Sequence, residues 1–408
     1  MSETQKNTPA PQPSTWAKIA GGNIGLSIGA VLASFILGGL LIAATDPATQ
    51  KAASYFFARP TDTLVAGWTA ATEAYMALFQ GAFYNPAGRS FAQQIRPITE
   101  TLTVATPLIF AGLAVALSFR AGLFNIGAQG QVILGALVSG WVAINAGLPA
   151  AATIPLIILG GIIGGGIWGG IIGLLKAKTG AHEVILSIMM NYIAANLLVY
   201  LLKTPLLQRE GSSNPISEQL GADAVYPLLL GNPFRLHLGF IIALLAVLFV
   251  SWLLNRSTLG FRLRAVGANP NAATTAGISV SNSYIIVMAI SGALAGLAGS
   301  AQVAGTEKVI STGIAGSLGF DAITVALLGR STPWGTFWAA LLFGAFRAGG
   351  VTMQVSTGTD IDIVLVLQAL IVLFIAAPPL VRAIFRLPNP QGVPHKKSAR
   401  KSKKAQEA

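Results

Sequence analysis

The chain has 408 residues, of which 53% are hydrophobic and only 10% are charged. Soluble domains carry about 25% charged residues, so this composition excludes an ordinary soluble protein and indicates an integral membrane protein. Cysteine is absent and the three histidines (His182, His237 and His395) are isolated, so disulfides and thiolate metal sites are excluded and no metal cluster is expected.

Apolar runs long enough to cross a bilayer recur along the chain after a polar N-terminal lead. We expect residues 1–20 to form a disordered cytoplasmic tail and residues 21–380 to form one transmembrane domain. The runs lie near 24–44, 99–119, 131–147, 153–175, 184–202, 238–254, 284–303, 321–350 and 362–379. They predict an all-α fold, a polytopic transmembrane helical bundle with eight to ten spans.

The run 321–350 is interrupted by the polar and helix-breaking sequence from Arg330 to Pro333. This interruption predicts either two short helices or a re-entrant hairpin, which surrounding protein would have to shield from lipid.

Basic residues at the ends of the runs set the orientation, because cytoplasmic loops of membrane proteins are rich in lysine and arginine. The residues concerned are Lys18, Arg120, Lys176, Lys178, Arg256, Arg262 and Arg264. If consecutive runs cross the membrane in opposite directions, all of these residues fall on one side. This arrangement predicts that both termini are cytoplasmic. The 45–98 and 203–237 segments are then external loops, and 255–283 is a cytoplasmic loop.

The C-terminal segment 381–408 is a basic cytoplasmic tail in this interpretation. From Arg382 onward it holds eight basic residues against Glu407 alone, which is +7 of the formal net charge of +12. Nucleic-acid binding is the alternative, but the tail follows a hydrophobic span directly and lacks interleaved aromatic residues. We therefore expect no nucleic-acid partner.

Glycines recur every four residues in the fourth run, at Gly161, Gly165, Gly169 and Gly173. This spacing leaves one helix face without side chains and predicts close helix packing. A phosphate-binding loop is the alternative, but no strand precedes the glycines and the chain has no GK[ST] sequence.

No pattern in the chain favours an enzyme. Gly25 to Gly29 match G-x-S-x-G, yet they lie inside the first apolar run with no preceding strand. Paired carboxylates spaced for acid–base catalysis are also missing from the runs.

Neutral polar side chains at membrane depth are candidates for lining a solute path: Asn125, Gln129, Gln131, Asn191 and Tyr192. Such groups are costly in hydrocarbon unless they are paired or face water, and they suit an uncharged polar solute. Hydrogen bonding between helices is the alternative for each of them. Asp321, which stands alone near the broken run, is placed with this set.

Two features at the predicted cytoplasmic side are candidates for contact with a partner. Glu183 opens the fifth run, where a carboxylate at a helix N-terminus is favoured, so local capping competes with a coupling role. In the acid-free stretch 255–283, Asn269 is suited to cap a helix, Pro270 to its first position and Gly277 to its exit. A two-turn helix over Pro270 to Ala276 is predicted, preceded by Arg262 and Arg264.

Such a short helix cannot cross a membrane, and its natural use is insertion into a partner protein. The alternative is a loop that faces phospholipid and obeys only the charge rule.

Six segments follow one another along the chain: FNIGAQGQ (124–131), GAHEVI (180–185), MNY (190–192), RAVGANPNAA (264–273), GFDAI (319–323) and ALLGR (326–330). In this order they resemble motifs of one transporter superfamily, the permease subunits of ABC importers for simple sugars, nucleosides and branched-chain amino acids. The resemblance covers roughly 95–380, and the segment 45–98 is similar to the larger permease of nucleoside-type importers.

The resemblance implies a permease that forms the translocation path for a small polar solute in a bacterial cytoplasmic (inner) membrane. It implies that ATP is bound and hydrolysed by a separate cytoplasmic subunit. A groove of that subunit receives the 269–277 helix, which includes Asn269, Pro270, Asn271, Ala276 and Gly277. A second permease subunit and an extracytoplasmic solute-binding protein are the other implied partners. Gln129 departs from the family's usual glutamate and His182 from its usual asparagine.

An ion-coupled secondary transporter or channel is the competing function, since polar residues in broken spans also serve such proteins. It would require charges inside the membrane to bind the ion, whereas Asp321 and Glu307 lie at the edges of runs.

Overall fold

The computed structural model describes residues 23–386. The predicted N-terminal tail and the basic tail from residue 387 onward lie outside the described residues. The regular secondary structure of residues 23–386 is helical, with two isolated β-bridges and no strand among these residues. The all-α prediction is confirmed.

The first seven helices are α1 (Asn23–Thr45), α2 (Pro47–Ala53), α3 (Pro60–Ala82), α4 (Phe91–Arg120), α5 (Ala128–Asn145), α6 (Ala150–Thr179) and α7 (Glu183–Leu201). The remaining eight are α8 (Gly239–Arg256), α9 (Thr258–Ala268), α10 (Pro270–Thr275), α11 (Val280–Ser300), α12 (Leu318–Leu328), α13 (Pro333–Thr357), α14 (Asp362–Ala376) and α15 (Pro378–Phe385). A π-helical turn, Ala301–Glu307, extends α11.

Six described helices are long and apolar enough to cross a membrane, or seven if the bent pair formed by α14 and α15 counts as one span. The six contain Ile28–Thr45, Phe91–Arg120, Ala150–Thr179, Glu183–Leu201, Gly239–Arg256 and Val280–Glu307. The predicted range of eight to ten is therefore not confirmed. Polar residues reduce the apolar character of two other long helices, namely Gln129 and Gln131 in α5 and Arg347 in α13.

The segment 45–98 is not the loop that its modest hydropathy suggested. It contains α2 and the 23-residue α3, and α4 begins within it at Phe91. Asp46 caps α2 by accepting from the backbone N–H of Thr49 at 2.8 Å. Charged residues such as Asp62 and Glu73 lower the hydropathy of α3 without preventing a helix, and this is why the prediction of a loop was wrong.

The break in the 321–350 run is present, but only one of its two helices is short. The 11 residues of α12 rise about 16 Å, too little for about 30 Å of hydrocarbon, whereas α13 has 25 residues. Between them, Arg330 and Ser331 take positive φ angles of 52° and 51°. The Thr332 side chain then caps α13 by accepting from the Gly335 N–H.

The 203–237 segment is irregular apart from one 3-10 turn, Ala222–Ala224. It packs against the π-helical turn and the residues after it. The N–H of Tyr226 donates to Ala304 O at 2.9 Å, and the N–H of Ser217 donates to Ile310 O at 2.9 Å. His237, at the end of the segment, is fully buried.

Helices α6 and α11 make the closest packing in the bundle. An added Cβ atom would lie 2.9 Å from Gly296 O at Gly161, 2.6 Å from Gly296 Cα at Gly165 and 2.9 Å from Gly292 Cα at Gly169. At Gly173 it would lie 2.9 Å from Ile285 Cα. The four glycines predicted to form a packing face thus all lie against α11, where any side chain would meet backbone.

The contacts divide the described chain into two compact units, residues 42–364 and residues 23–41 with 365–386. In the described part of the second unit, Ala30 and Ala33 of α1 pack with Phe374 of α14 and Val381 of α15. The candidate site residues all lie in the unit 42–364.

Candidate functional site

The short helix α10 is present where the capping residues predicted it. Asn269 Oδ1 accepts from the N–H groups of Asn271 at 3.0 Å and Ala272 at 3.1 Å, and Pro270 occupies the first turn. The helix ends at Thr275, with Ala276 as its C-cap and Gly277 at φ 77°. Ala273 is its one buried residue, so α10 projects from the bundle.

The segment 255–283 is not a loop, because α9 precedes α10. Arg262 and Arg264 both lie on α9 and are exposed. Ser257 caps α9 by accepting from the Gly260 N–H at 2.9 Å. A cavity of about 790 Å³ opens beside α9 and α10, and its wall includes Arg256, Arg262 and Arg264. The basic residues thus form a surface next to the projecting helix.

Glycine contacts hold α9 against the bundle. A Cβ atom added at Gly122, just after α4, would lie 3.1 Å from the Cα of Gly267 in α9. At the same end, Arg120 Nε donates to Ser331 O at 2.8 Å, just before α13. The C-terminal end of α4 and the start of α13 therefore lie beside α9 and α10. We name this the α10 end of the bundle.

Glu183 also lies at the α10 end, because Ser281 at the start of α11 donates to Ala177 O near the end of α6. Its carboxylate pairs with Lys176 Nζ at 2.9 Å across the turn made by Gly180. The cap of α7 is His182, which accepts from the Val184 N–H. Glu183 is thus held by an ion pair to α6, and His182 provides the capping predicted for Glu183.

Asn125 and Gln131 are fully buried and hydrogen-bonded. Asn125 Nδ2 donates to Gln131 Oε1 at 3.1 Å and to Ser291 Oγ at 2.9 Å, and Ser118 Oγ donates to Ser291 at 2.9 Å. This network joins α4, α5 and α11. The geometry favours hydrogen bonding between helices over contact with a solute for these two amides.

Asn191 caps α5 from a different helix. Its Oδ1 accepts from the Gly130 N–H at 2.8 Å, and its Nδ2 donates to Ile126 O at 3.0 Å. Gly130 is among the first residues of α5, whose N–H groups have no partner within their own helix. The neighbouring Tyr192 is 69% exposed.

Gln129 connects α5 to the start of α12. Its Nε2 donates to Gly316 O at 2.7 Å, and its Oε1 accepts from the Gly319 N–H at 2.8 Å. An ionised glutamate has no donor for Gly316. The amide at this position therefore makes a pair of contacts that a carboxylate would not complete.

Asp321 forms an ion pair that the sequence patterns did not reveal. Arg347 Nη2 lies 2.5 Å from Asp321 Oδ2, and Arg347 also donates to Ser317 Oγ. Asp321 stands at the start of α12 and Arg347 in the middle of α13. The signal that could have found the pair is a single arginine inside the apolar sequence of α13.

The candidate residues therefore occupy two regions. Glu183, Arg262, Arg264 and α10 share the α10 end, while Gln129, Asn191 and Asp321 join α5, α7, α12 and α13 by hydrogen bonds. Among the residues described, no group of three or more histidine, aspartate or glutamate side chains is placed to hold a metal.

Comparison with known proteins assigns this helical bundle to a class of membrane transport subunits. The chain belongs to the family described as branched-chain amino acid transport system / permease component, which matches residues 98–376. No solved structure matches the chain significantly.

Three relatives are similar over most of the chain. The guanosine ABC transporter permease protein NupP of Bacillus subtilis is 39% identical over 322 residues, which is 79% of this chain and 90% of the relative. The glucose ABC transporter permease protein TsgB13 of Haloferax volcanii is 39% identical over 68% of this chain and 75% of its own length. The nucleoside ABC transporter permease protein NupB of Lactococcus lactis is 34% identical over 77% and 87%, respectively.

Proposed function

We propose that this chain is the permease subunit of an ATP-driven ABC importer and forms the translocation path for a nucleoside or a simple sugar. The observation that carries the proposal is the 39% identity to the guanosine permease protein over 79% of this chain and 90% of that relative. The nucleoside and glucose permease relatives support the same two solute classes. ATP binds to a separate subunit, and this chain catalyses no reaction.

In this proposal α10 is the coupling helix that enters a groove of the ATP-binding subunit. Its support is geometric, because α10 projects from the bundle while glycine contacts fix the adjoining α9 to α4. Arg262 and Arg264 contribute a basic rim, and the Lys176–Glu183 ion pair stiffens the neighbouring turn. Motion of the ATP-binding subunit would thus reach α4, α6 and α13 directly.

The solute path runs along the polar groups that join α5, α7 and α12. Gln129, Asn191, Tyr192 and Asp321 are only partly buried or exposed, so they are accessible to a solute after modest movement. Asn125 and Gln131 support the path from the interior.

In this proposal the chain lies in a bacterial cytoplasmic membrane, and the α10 end and both termini face the cytoplasm. The segments 45–98 and 203–237 then lie outside, where an extracytoplasmic binding protein delivers the solute. A second permease subunit completes the path. The cytoplasmic excess of basic residues supports this orientation.

Uptake by proteoliposomes tests the proposal. The chain is reconstituted with its second permease and ATP-binding subunit, and radiolabelled guanosine or glucose is supplied with the binding protein. We expect uptake that needs enclosed ATP and stops when the ATP-binding subunit is omitted. Uptake that persists without ATP on a sodium or proton gradient would instead establish an ion-coupled transporter.

A further inference from the structure

A second cavity lies at the opposite end of α4 from α10. Its volume is about 690 Å³, and it is enclosed by the end of α3, the start of α4 and the C-terminal half of α13. Its charged lining residues are Arg89, Arg96, Glu100, Arg235 and Arg347. Four guanidinium groups face one lining carboxylate, and a second carboxylate, that of Asp321, pairs with Arg347, so the net charge of these groups is 4 − 2 = +2. The cavity is therefore electropositive.

The carboxylate neutralises the arginines incompletely. Glu100 lies 3.6 Å from Arg96 Nε and 3.4 Å from Arg235 Nη1, longer than the 2.7–2.9 Å of a strong charge-assisted hydrogen bond. The side chains of Arg96 and Arg235 are each 52% exposed. Arg89 is exposed at the mouth, and its guanidinium has no ion pair within the described chain. N–H donors of these three arginines therefore remain available for a further acceptor.

Arg347 lies at the inner end of the cavity. It is ten residues from Thr357, the last residue of α13, so it lies about 15 Å along the helix from that end. Its partner Asp321 connects the cavity floor to α12 and hence to Gln129.

We propose that this cavity is a binding site for an oxyanion, the carboxylate or phosphate group of a ligand. Guanidinium groups present planar pairs of donors that match both groups. The volume lies in the range of small-molecule sites. The positive charge is uncompensated at the mouth, where Arg89 has no ion pair in the described chain, and compensated at the floor, where Arg347 pairs with Asp321. A neutral nucleoside or sugar gains nothing from this charge, so the site goes beyond the proposed transport of such solutes.

Binding is measured by calorimetry on the full chain in nanodiscs of phosphatidylcholine, which carries no net charge. The probes are inorganic phosphate, guanosine 5′-monophosphate and a hexaglutamate peptide, with guanosine as the neutral reference. Binding of phosphate or the nucleotide identifies a small anion as the ligand source, and binding of the peptide alone identifies carboxylates of a protein. Either result supports the site, whereas binding of none of the three anions overturns it.

Three variants test whether the arginines hold the anion. We expect Arg96→Gln with Arg235→Gln to weaken binding about tenfold or more, since two charge-assisted bonds are lost. Lys51→Gln with Lys203→Gln removes two exposed positive charges that do not line the cavity; it is the matched control and should not change binding. Glu100→Gln removes the competing carboxylate and should tighten binding, an effect that misfolding does not produce. Unchanged affinity in the first variant, or weaker binding in the third, contradicts the proposal.

Discussion

Alanine at Gly165 is expected to force α6 and α11 apart, whereas alanine at the adjacent Gly166 is not. A Cβ atom at Gly165 would lie 2.6 Å from the Cα of Gly296 and would also overlap the carbonyl oxygen of Gly292. At Gly166 the nearest atom is Ala289 O at 3.5 Å, which is ordinary van der Waals contact. Both changes replace a glycine of α6 by alanine, and they differ in the space that surrounds the new methyl group.

The size of the effect follows from two opposing contributions. Overpacking costs about 1–3 kcal/mol, and the upper end applies at Gly165 because backbone atoms cannot rotate away. Alanine in place of glycine favours a helix by about 1 kcal/mol. Gly165→Ala should therefore lower the free energy of unfolding by about 2 kcal/mol, while Gly166→Ala should raise it by up to about 1 kcal/mol.

Reversible unfolding in mixed micelles with increasing SDS measures both values, with the fluorescence of the seven tryptophans as the signal. A difference of about 3 kcal/mol between the two variants is expected. Equal stabilities, or a Gly165→Ala variant at least as stable as the unchanged chain, would refute the close approach of these helices.

Three further predictions concern coupling, the α5 cap and pH. Arg262→Glu with Arg264→Glu should reduce ATP-dependent uptake while membrane insertion is preserved; co-purification with an undiminished, stimulated ATPase would contradict this. Asn191→Leu leaves the Gly130 N–H unpaired, so stability should fall by about 1–3 kcal/mol and uptake should change, which unfolding and transport assays measure. Burial, followed by the charge of Arg235, lowers the pKa of His237 from 6.5 to about 4, so the folded state favours neutral imidazole. The contribution of His237 to the free energy of unfolding is therefore fully present above pH 6.5, and it decreases by roughly 3 kcal/mol as the pH drops towards 4. His237→Asn keeps an acceptor for the Gly239 N–H and should flatten that pH profile in thermal unfolding; an unchanged profile would show that other groups cause it.

Local patterns predicted the elements whose causes are local. Asn269, Pro270 and Gly277 are enough to begin and end α10, and the four-residue glycine spacing of α6 marks the face that lies against α11. In contrast, α3 and α9 lack a continuous apolar run, so hydropathy predicted loops at both places. The N-cap Ser257 is the local signal that marks the start of α9.

Contacts between distant residues were beyond the reach of these patterns. Asn191 caps a helix that begins more than 60 residues earlier, and the sequence gives no sign of the partner. The same holds for Arg347 and Asp321, which lie on separate helices. Polar residues at membrane depth were found as a group, but only the contacts distinguish buried Asn125 from partly exposed Gln129.

The claim that α10 faces the cytoplasm and meets the ATP-binding subunit is tested most directly by thiol labelling. The chain has no cysteine, so Thr274→Cys introduces a single thiol on an exposed position of α10. A membrane-impermeant maleimide should label this variant in inside-out vesicles but not in right-side-out ones, and the ATP-binding subunit should slow the labelling. Labelling in intact right-side-out vesicles would place α10 on the outer face and contradict the account.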